Sequence, residues 1–346
     1  MDERTLTTRE LNRALLARQL LLERARLPIP CVLERMGGLQ AQYAPSMYVG
    51  LWTRLEGVER DHVTAALERR AAVQGTLMRA TIHLVSRRDY WPFAAGIRES
   101  RRAWWLRVHT PRPDPRALQA AAARLRRKLA EGPLRRSELE RIAGGSSVWT
   151  NGVGLWLDLV RVPPSGTWER RRADLYAAAE DWVGPDDATA VEGVELLVRR
   201  YLGAFGPAAR AEIAEWAGLP PRALEPVVER MALRLFRSEG GTELLDLPRA
   251  PLPDPETPAP VRFLPVWDAM LLVHARRTGI LPEEVRPRVF STKTPHSTGT
   301  FLVDGTVAGA WRHDRGRIEL TPYRRLDRPA TRELREEAAR LEAFHA

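Results

Sequence analysis

Short helices that end at Gly or Pro, followed by a β-rich segment, recur along this chain of 346 residues. In the first instance, Thr7 precedes leucines at helical spacing, and Pro28 separates that helix from a second one that ends at Gly37. A third helix is predicted over 61–70. The segment 76–85 is rich in β-branched residues and predicts a strand. The start of the chain therefore predicts three helices followed by a β element.

The same order returns twice at shorter intervals. The turns Gly132-Pro133 and Gly206-Pro207 each lead into a short helix that carries Arg and Glu, and 233–246 predicts a hairpin. Three helices followed by a β element is the order of a winged helix, a relative of the helix-turn-helix. We therefore predict an α+β, helix-dominated fold of tandem winged-helix modules with β wings. The modules span 1–115, 116–192 and 193–250.

The last part of the chain has a different pattern. A proline-dense stretch over 248–260 has no periodicity and predicts a linker. Beyond it, 301–312 contains an Asp304-Gly305 turn between apolar runs, which is a strong hairpin signal, and a second turn follows at 313–316. An amphipathic helix rich in Arg and Glu then closes the chain. The segment 261–346 is therefore predicted to form a C-terminal antiparallel β-hairpin region with a closing helix.

The charge of the chain favours a partner that carries phosphates. It has 54 Lys and Arg against 44 Asp and Glu, a net charge of +10. Nearly all of these cations are arginine, since Lys occurs only at 128 and 293, and such usage also arises in GC-rich genomes. The charge thus supports nucleic-acid binding, with a GC-rich genome as the alternative source of the arginines. Arginine suits this partner because its planar guanidinium binds phosphate and base edges through paired hydrogen bonds.

Several classes of protein are excluded or disfavoured by what the sequence lacks. No apolar run is long enough to span a bilayer, and the first residues lack the apolar core of a signal peptide. We therefore expect a cytoplasmic bacterial protein that works at the nucleoid, as a monomer and without a membrane partner. Cys31 is the sole cysteine, which excludes an internal disulfide and a thiolate metal cage. No histidine pair has zinc spacing and no Gly-rich phosphate loop occurs, so we expect neither a metal nor a cofactor.

Two glutamines stand two residues apart in the segment 36–45, as Gln40-Ala41-Gln42. Their side chains share one side only if the backbone is extended, because on a helix they would diverge by about 200°. Gly38 before them and Pro45 after them argue against a continuous helix. The motif alone leaves two interpretations open: surface or backbone-capping glutamines, or a pair that acts together in a site.

Over nearly its whole length the chain resembles the AlkZ-like family of winged-helix DNA glycosylases. The segments that carry the resemblance are 38–42, 79–85, 202–208, 263–268, 271–272 and 301–305. In that family a Gln-hydrophobic-Gln motif lies at the active site, and here it falls on Gln40, Ala41 and Gln42. Another branch has Asp in place of the second Gln, so Gln42 favours the branch that unhooks or removes bulky N7-alkylguanine lesions. Asp268 is expected to be a buried carboxylate that caps a helix or turn, with a family role as the alternative.

The resemblance implies a monofunctional DNA glycosylase of base excision repair. It would hydrolyse the N-glycosidic bond of cationic N7-alkylguanine or N3-alkylpurine in double-stranded DNA, and unhook interstrand crosslinks as an extension. A cationic base is already a good leaving group, so Gln40 and Gln42, which do not titrate, need only orient a water. Self-resistance to a DNA-alkylating antibiotic is one setting for such an enzyme. The alternative is a non-catalytic winged-helix DNA-binding protein or transcriptional regulator.

Two sets of cations are candidates for DNA contact. A strand over 76–85 would put Arg79, Thr81 and His83 on one face, with Arg79 and His83 near phosphate; the alternative is a half-buried strand with ordinary polar edges. The second set lies on the turn after the Asp-Gly hairpin and in the loop before it, and suits a minor groove or phosphates unless the turn is merely solvated. This set comprises Arg312, His313, Arg315, Arg317 and His296.

Overall fold

The computed structural model describes residues 4–271, 277–290 and 297–346. Helices and short strands alternate in the first module. Its helices are α1 (Thr8–Arg18), α2 (Ile29–Met36), α3 (Ala44–Trp52), α4 (Arg60–Glu68) and α5 (Arg87–Val108). Its strands are β1 (Thr5–Leu6), β2 (Leu39–Gln40), β3 (Ala72–Thr76) and β4 (Ile82–Ser86). None of the described helices is both long enough and apolar enough to cross a membrane.

The second module has the winged-helix order in full. Its elements are α6 (Pro115–Leu129), β5 (Leu134–Arg135), α7 (Arg136–Ala143), α8 (Ser147–Leu157), β6 (Leu159–Arg161) and β7 (Leu175–Ala178), with α9 (Ala179–Trp182) after them. Strand β7 pairs antiparallel with both β5 and β6, so the loop 162–174 is the wing. Because β6 also pairs with β3, one sheet in the order β2-β4-β3-β6-β7-β5 joins the first two modules. The module boundaries drawn from the sequence stay a prediction.

The third module again places helices before a hairpin. Its elements are α10 (Ala190–Phe205), α11 (Arg210–Ala217), α12 (Glu225–Val228), β8 (Arg234–Ser238) and β9 (Glu243–Asp246). The hairpin predicted over 233–246 is confirmed, since β8 and β9 pair antiparallel. Strand β1 adds to β8 in parallel, so the start of the chain is held by the third module.

The C-terminal region is an antiparallel sheet flanked by helices. Its elements are β10 (Arg262–Leu264), α13 (Arg286–Val289), β11 (Gly299–Val303), β12 (Thr306–Asp314), β13 (Arg317–Pro322) and α14 (Arg328–His345). The strand order is β10-β11-β12-β13. Asp304 and Gly305 have φ angles of 49° and 75°, as a two-residue hairpin turn requires. A Cβ on Gly305 would come within 2.6 Å of Leu16 Cδ1, so this turn also needs a glycine for packing. The predicted hairpin region and closing helix are confirmed.

The single strand predicted over 76–85 is wrong. The chain reverses there: Thr76 pairs with Ile82, and the Leu77 amide donates to the Thr81 carbonyl at 2.9 Å. A 3-10 turn, Met78–Ala80, makes the reversal, and Arg79 and Ala80 take positive φ angles of 53° and 56°. β-Branched residues favour extension locally, but the antiparallel pairing of β3 with β4 decides where the strand breaks. Arg79, Thr81 and His83 therefore do not share one strand face.

Two hydrophobic cores meet at the β2–β4 pair. The two faces of β4 contribute to different cores, since Val85 packs with α5 and α10 while Leu84 packs with α2, α3 and the C-terminal sheet. Helices α5 and α10 approach closely because Gly193 faces Pro92: a Cβ on Gly193 would lie 2.2 Å from the Pro92 carbonyl oxygen. The edge strand β2 thus lies on a sheet that is packed on both faces.

Candidate active site

The Gln-x-Gln motif occupies the edge strand of the six-stranded sheet. Gly38, with a φ of 82°, turns the chain out of α2, and a Cβ there would lie 2.9 Å from Val85 Cγ1 and 3.0 Å from the Leu84 carbonyl oxygen. Strand β2 then pairs antiparallel with β4, with Gln40 opposite His83. The Ala41 amide extends this ladder by donating to the Ile82 carbonyl at 2.8 Å. The backbone is extended through the motif, as its flanking residues predicted.

The two glutamine side chains lie on one side and contact each other. Gln40 Nε2 donates to Gln42 Oε1 at 2.5 Å. Gln40 is 8% exposed, whereas Gln42 is exposed. Their hydrogen bond uses the Gln42 carbonyl and one Gln40 N–H, so the Gln40 carbonyl and the Gln42 amide remain without a partner in the part of the chain that the structure describes. The pair therefore presents one acceptor and one donor group side by side.

Helix α3 begins directly after the motif and fixes its far end. Pro45 stands in the first turn of this helix, where its missing N–H has no cost, and α3 is buried along its length. The residue between the motif and the helix, Tyr43, is 46% exposed, although Ala44 directly after it is buried. An exposed tyrosine ring thus adjoins Gln42.

His83 lies beside the glutamine pair as a neutral imidazole. Residues directly opposite in an antiparallel pair point to the same face, so His83 and Gln40 share one face. Its Nδ1 lies 3.1 Å from the Thr81 carbonyl oxygen, which only accepts, so Nδ1 carries the proton and Nε2 a lone pair. Burial, together with the positive charge of Arg79, lowers the pKa of His83 to about 3. This burial argues against the phosphate contact that the sequence suggested for His83.

Arg79 anchors the β3–β4 turn to another module. Its Nη1 donates to the Trp216 carbonyl at the end of α11, and the side chain is half-buried. Gly218 lies so close to the Arg79 backbone that a side chain there has no room: its Cβ would lie 3.0 Å from the Arg79 amide nitrogen. Burial lowers the pKa of Arg79. Its contact with DNA stays a prediction, but its observed partner is the protein backbone.

The hairpin cations are presented by β12 and β13. Arg315 and Gly316 form the turn, with φ angles of 46° and 81°. Arg312 pairs with Glu319 across the two strands, where its Nε lies 2.6 Å from Oε2. His313 stacks on His345 of α14, with ring centroids 4.2 Å apart. Arg315 and Arg317 are exposed and have no side-chain partner among the described residues, so they are the hairpin cations most open to DNA. His296 lies outside the described residues.

A cavity of about 380 Å³ joins the motif segment to the hairpin. Tyr43 and Ser46 line it from the start of α3, His313 from the hairpin, and His345 from α14. The wing of the second module adds Arg171. Sequence reasoning missed Tyr43, Arg171 and His345, because these residues are far apart along the chain. The run of three arginines at 170–172 was the one local signal that pointed to the wing.

Comparison with known proteins fits this architecture. The model of the AlkZ-like DNA glycosylase family matches residues 33–344. The chain belongs to this family. It is therefore a DNA glycosylase that acts on DNA, which confirms the prediction at that level. The solved structure of Streptomyces sahachiroi DNA glycosylase AlkZ has the same fold, with a TM-score of 0.83 and 19% sequence identity over 99% of this chain and 98% of that one. No curated protein sequence matches the chain.

Proposed function

We propose that this glycosylase hydrolyses the N-glycosidic bond of cationic N7-alkylguanine or N3-alkylpurine in double-stranded DNA. The observation that carries the proposal is the Gln40–Gln42 hydrogen bond on an extended edge strand. The bond fixes both amides, and the free Gln40 carbonyl and Gln42 amide are placed to accept from and donate to one water. The N-glycosidic bond breaks with its electron pair going to the cationic base, which leaves as a neutral base. The water adds to the anomeric carbon and loses its proton to solvent.

The polar groups beside the pair favour a base that leaves easily. Glutamine does not titrate, and His83 is neutral with a pKa near 3, so it is a weak base at neutral pH. Catalysis then comes from the orientation of the water and from the dipoles of the glutamine amides. These effects suffice when the leaving group already carries a positive charge. Neutral lesions such as uracil or 8-oxoguanine would need a stronger acid or base and are not substrates on this proposal.

The exposed hairpin and the exposed Gln42 also suit crosslinked DNA. Arg315 and Arg317 lie at the tip of a thin two-stranded element, which fits a minor groove or its flanking phosphates. A crosslinked base is tethered to both strands and resists complete extrusion. Because Gln42 is exposed rather than enclosed, a base that stays near the helix can still reach it. We therefore include unhooking of N7-linked crosslinks in the proposal.

Base release from duplexes that carry one N7-methylguanine tests the catalytic role. Gln40→Ala and Gln42→Ala should each slow single-turnover release by about 100-fold, the usual loss for one preorganised polar group, while affinity for the duplex stays the same. Gln119→Ala, an exposed glutamine on α6, is the matched control and should match wild type. Uracil and 8-oxoguanine duplexes should release no base.

Three results would count against the proposal. Efficient release of uracil would remove the restriction to cationic bases. Full activity in both glutamine variants would remove the role of the pair. If the wild type binds the duplex yet releases no alkylated base, a binding function without catalysis would replace the enzyme.

A further inference from the structure

The wing of the second module is fastened to the face of the protein that carries the motif. Its Trp168 is 5% exposed and packs edge-on against Tyr48 of α3 and Phe344 of α14, with ring centroids 5.6 Å and 5.7 Å apart. The guanidinium of Arg60 lies 5.2 Å from the centroid of the same ring. A wing held in this way does not swing freely, so the residues after Trp168 have defined positions.

Because Trp168 anchors the wing, Arg171 lies at the cavity beside Tyr43. Arg171 Nε lies 3.4 Å from the Trp168 carbonyl oxygen, and its guanidinium lies 5.4 Å from the Trp168 ring centroid. Its neighbour Arg172 pairs with Asp174 at 3.2 Å. Within the described parts of the chain, no carboxylate pairs with Arg171. Arg171 is also exposed, so its guanidinium is open to an anion from outside the protein.

Two polar atoms in the same cavity also lack partners. Ser46 Oγ and His345 Nε2 are buried, and neither forms a hydrogen bond among residues 4–271, 277–290 and 297–346. Buried polar groups in folded proteins almost always have a hydrogen-bond partner. Both residues line the cavity, so a rotation of each side chain towards it would let a ligand rich in oxygen supply the missing partner. The guanidinium of Arg171, which has no carboxylate partner, and these two polar atoms thus belong to residues that line the same cavity.

We propose that this cavity binds one phosphodiester of the DNA strand, together with its deoxyribose, beside the nucleotide held by Gln40 and Gln42. The inference rests on the proposed function for the identity of that nucleotide. Arg171 contacts the phosphate, Ser46 donates to an oxygen, and the ring of Tyr43 packs against the sugar. Tyr43 directly follows Gln42, so the phosphate lies close to the reacting bond. The volume suits a sugar and a phosphate, being near the lower end for ligand pockets.

The test measures binding alone, with a duplex that contains a tetrahydrofuran abasic analogue and has no base to release. Arg171→Ala should weaken binding about tenfold, and the slope of log affinity against log salt should fall by about one. Arg171→Lys should restore the slope. Arg172→Ala is the matched control: it removes the same charge from the next residue of the wing, which pairs with Asp174.

A scan of neutral methylphosphonate linkages then locates the contact. For wild type and Arg172→Ala, one linkage within two nucleotides of the abasic analogue should weaken binding about tenfold, as the loss of one phosphate contact does. For Arg171→Ala, the same neutral linkage should not weaken binding any further. If Arg171→Ala and wild type respond alike at every linkage, the phosphate site is refuted. This result would leave base release intact, whereas failure of base release would leave the binding scan intact.

Ser46→Ala separates a ligand contact from a structural role. Because the hydroxyl is buried without a partner, its removal should leave the melting temperature unchanged or raise it. Affinity for the abasic duplex should nevertheless fall at least about tenfold, the loss of one hydrogen bond to a charged oxygen. A fall in the melting temperature with unchanged affinity would contradict the role of Ser46 and leave Arg171 as the sole support for the site.

Discussion

Gly38→Ala tests how the glutamine pair is positioned. Gly38 has a φ of 82°, and an alanine Cβ would lie 2.9 Å from Val85 Cγ1 and 3.0 Å from the Leu84 carbonyl oxygen. The left-handed conformation alone costs about 1–2 kcal/mol for a residue with a Cβ. Overpacking adds about 1–3 kcal/mol, because the carbonyl belongs to β4 and cannot rotate away. We therefore expect Gly38→Ala to lower the free energy of unfolding by about 2–5 kcal/mol.

Gly57→Ala is the matched control for this substitution. Gly57 also has a positive φ, 64°, but a Cβ added there would meet no atom within 4 Å, so only the conformational cost applies. Urea denaturation of the two variants should differ by the packing cost alone, about 1–3 kcal/mol. Base release should fall in Gly38→Ala, since β2 must move away from β4, and should stay unchanged in Gly57→Ala.

Equal losses of stability in the two variants would refute this reasoning. Such a result would mean that β4 yields to the added methyl group at no cost, and that the position of β2 does not depend on the close approach of Gly38. If Gly38→Ala is destabilised yet releases base at the wild-type rate, the packing argument stands. The close approach of Gly38 would then not be what positions the glutamine pair.

Two further predictions concern buried charge. Arg54 and Asp268 form a fully buried pair with Nη–Oδ distances of 2.9 Å and 3.0 Å, so Asp268→Ala should cost about 3–5 kcal/mol in urea denaturation, and a combined Arg54→Met, Asp268→Leu variant should cost much less. A double variant as unstable as Asp268→Ala would contradict this. His83 has a pKa of about 3 instead of 6.5. The folded state therefore binds fewer protons than the unfolded state, and stability is lost as the pH falls from 6.5 towards 3, by about 2 kcal/mol at pH 5. Thermal melts of wild type and His83→Gln check this, since the variant should lose less stability between pH 7 and 5; parallel curves would reject it.

Local signals in the sequence predicted much of the fold. Asp304-Gly305 and Arg315-Gly316 supply the positive φ angles that hairpin turns need, and both hairpins form where these residues stand. The flanking Gly38 and Pro45 predicted an extended Gln-x-Gln segment, which places the two side chains together. The prediction that Asp268 is a buried carboxylate is also confirmed, although its partner Arg54 was not foreseen.

The surroundings of the motif depended on contacts between distant residues. The break between β3 and β4 is set by strand pairing, and it directs Arg79 to a backbone carbonyl of α11 while His83 is buried opposite Gln40. Arg171 lines the cavity beside Tyr43 because a wing more than one hundred residues away is fastened there by Trp168. Turn and strand preferences act over a few residues, so the sequence itself determined the extended glutamine pair. Burial and charge neutralisation depend on which segments pack together, so only the tertiary structure decided what stands beside that pair.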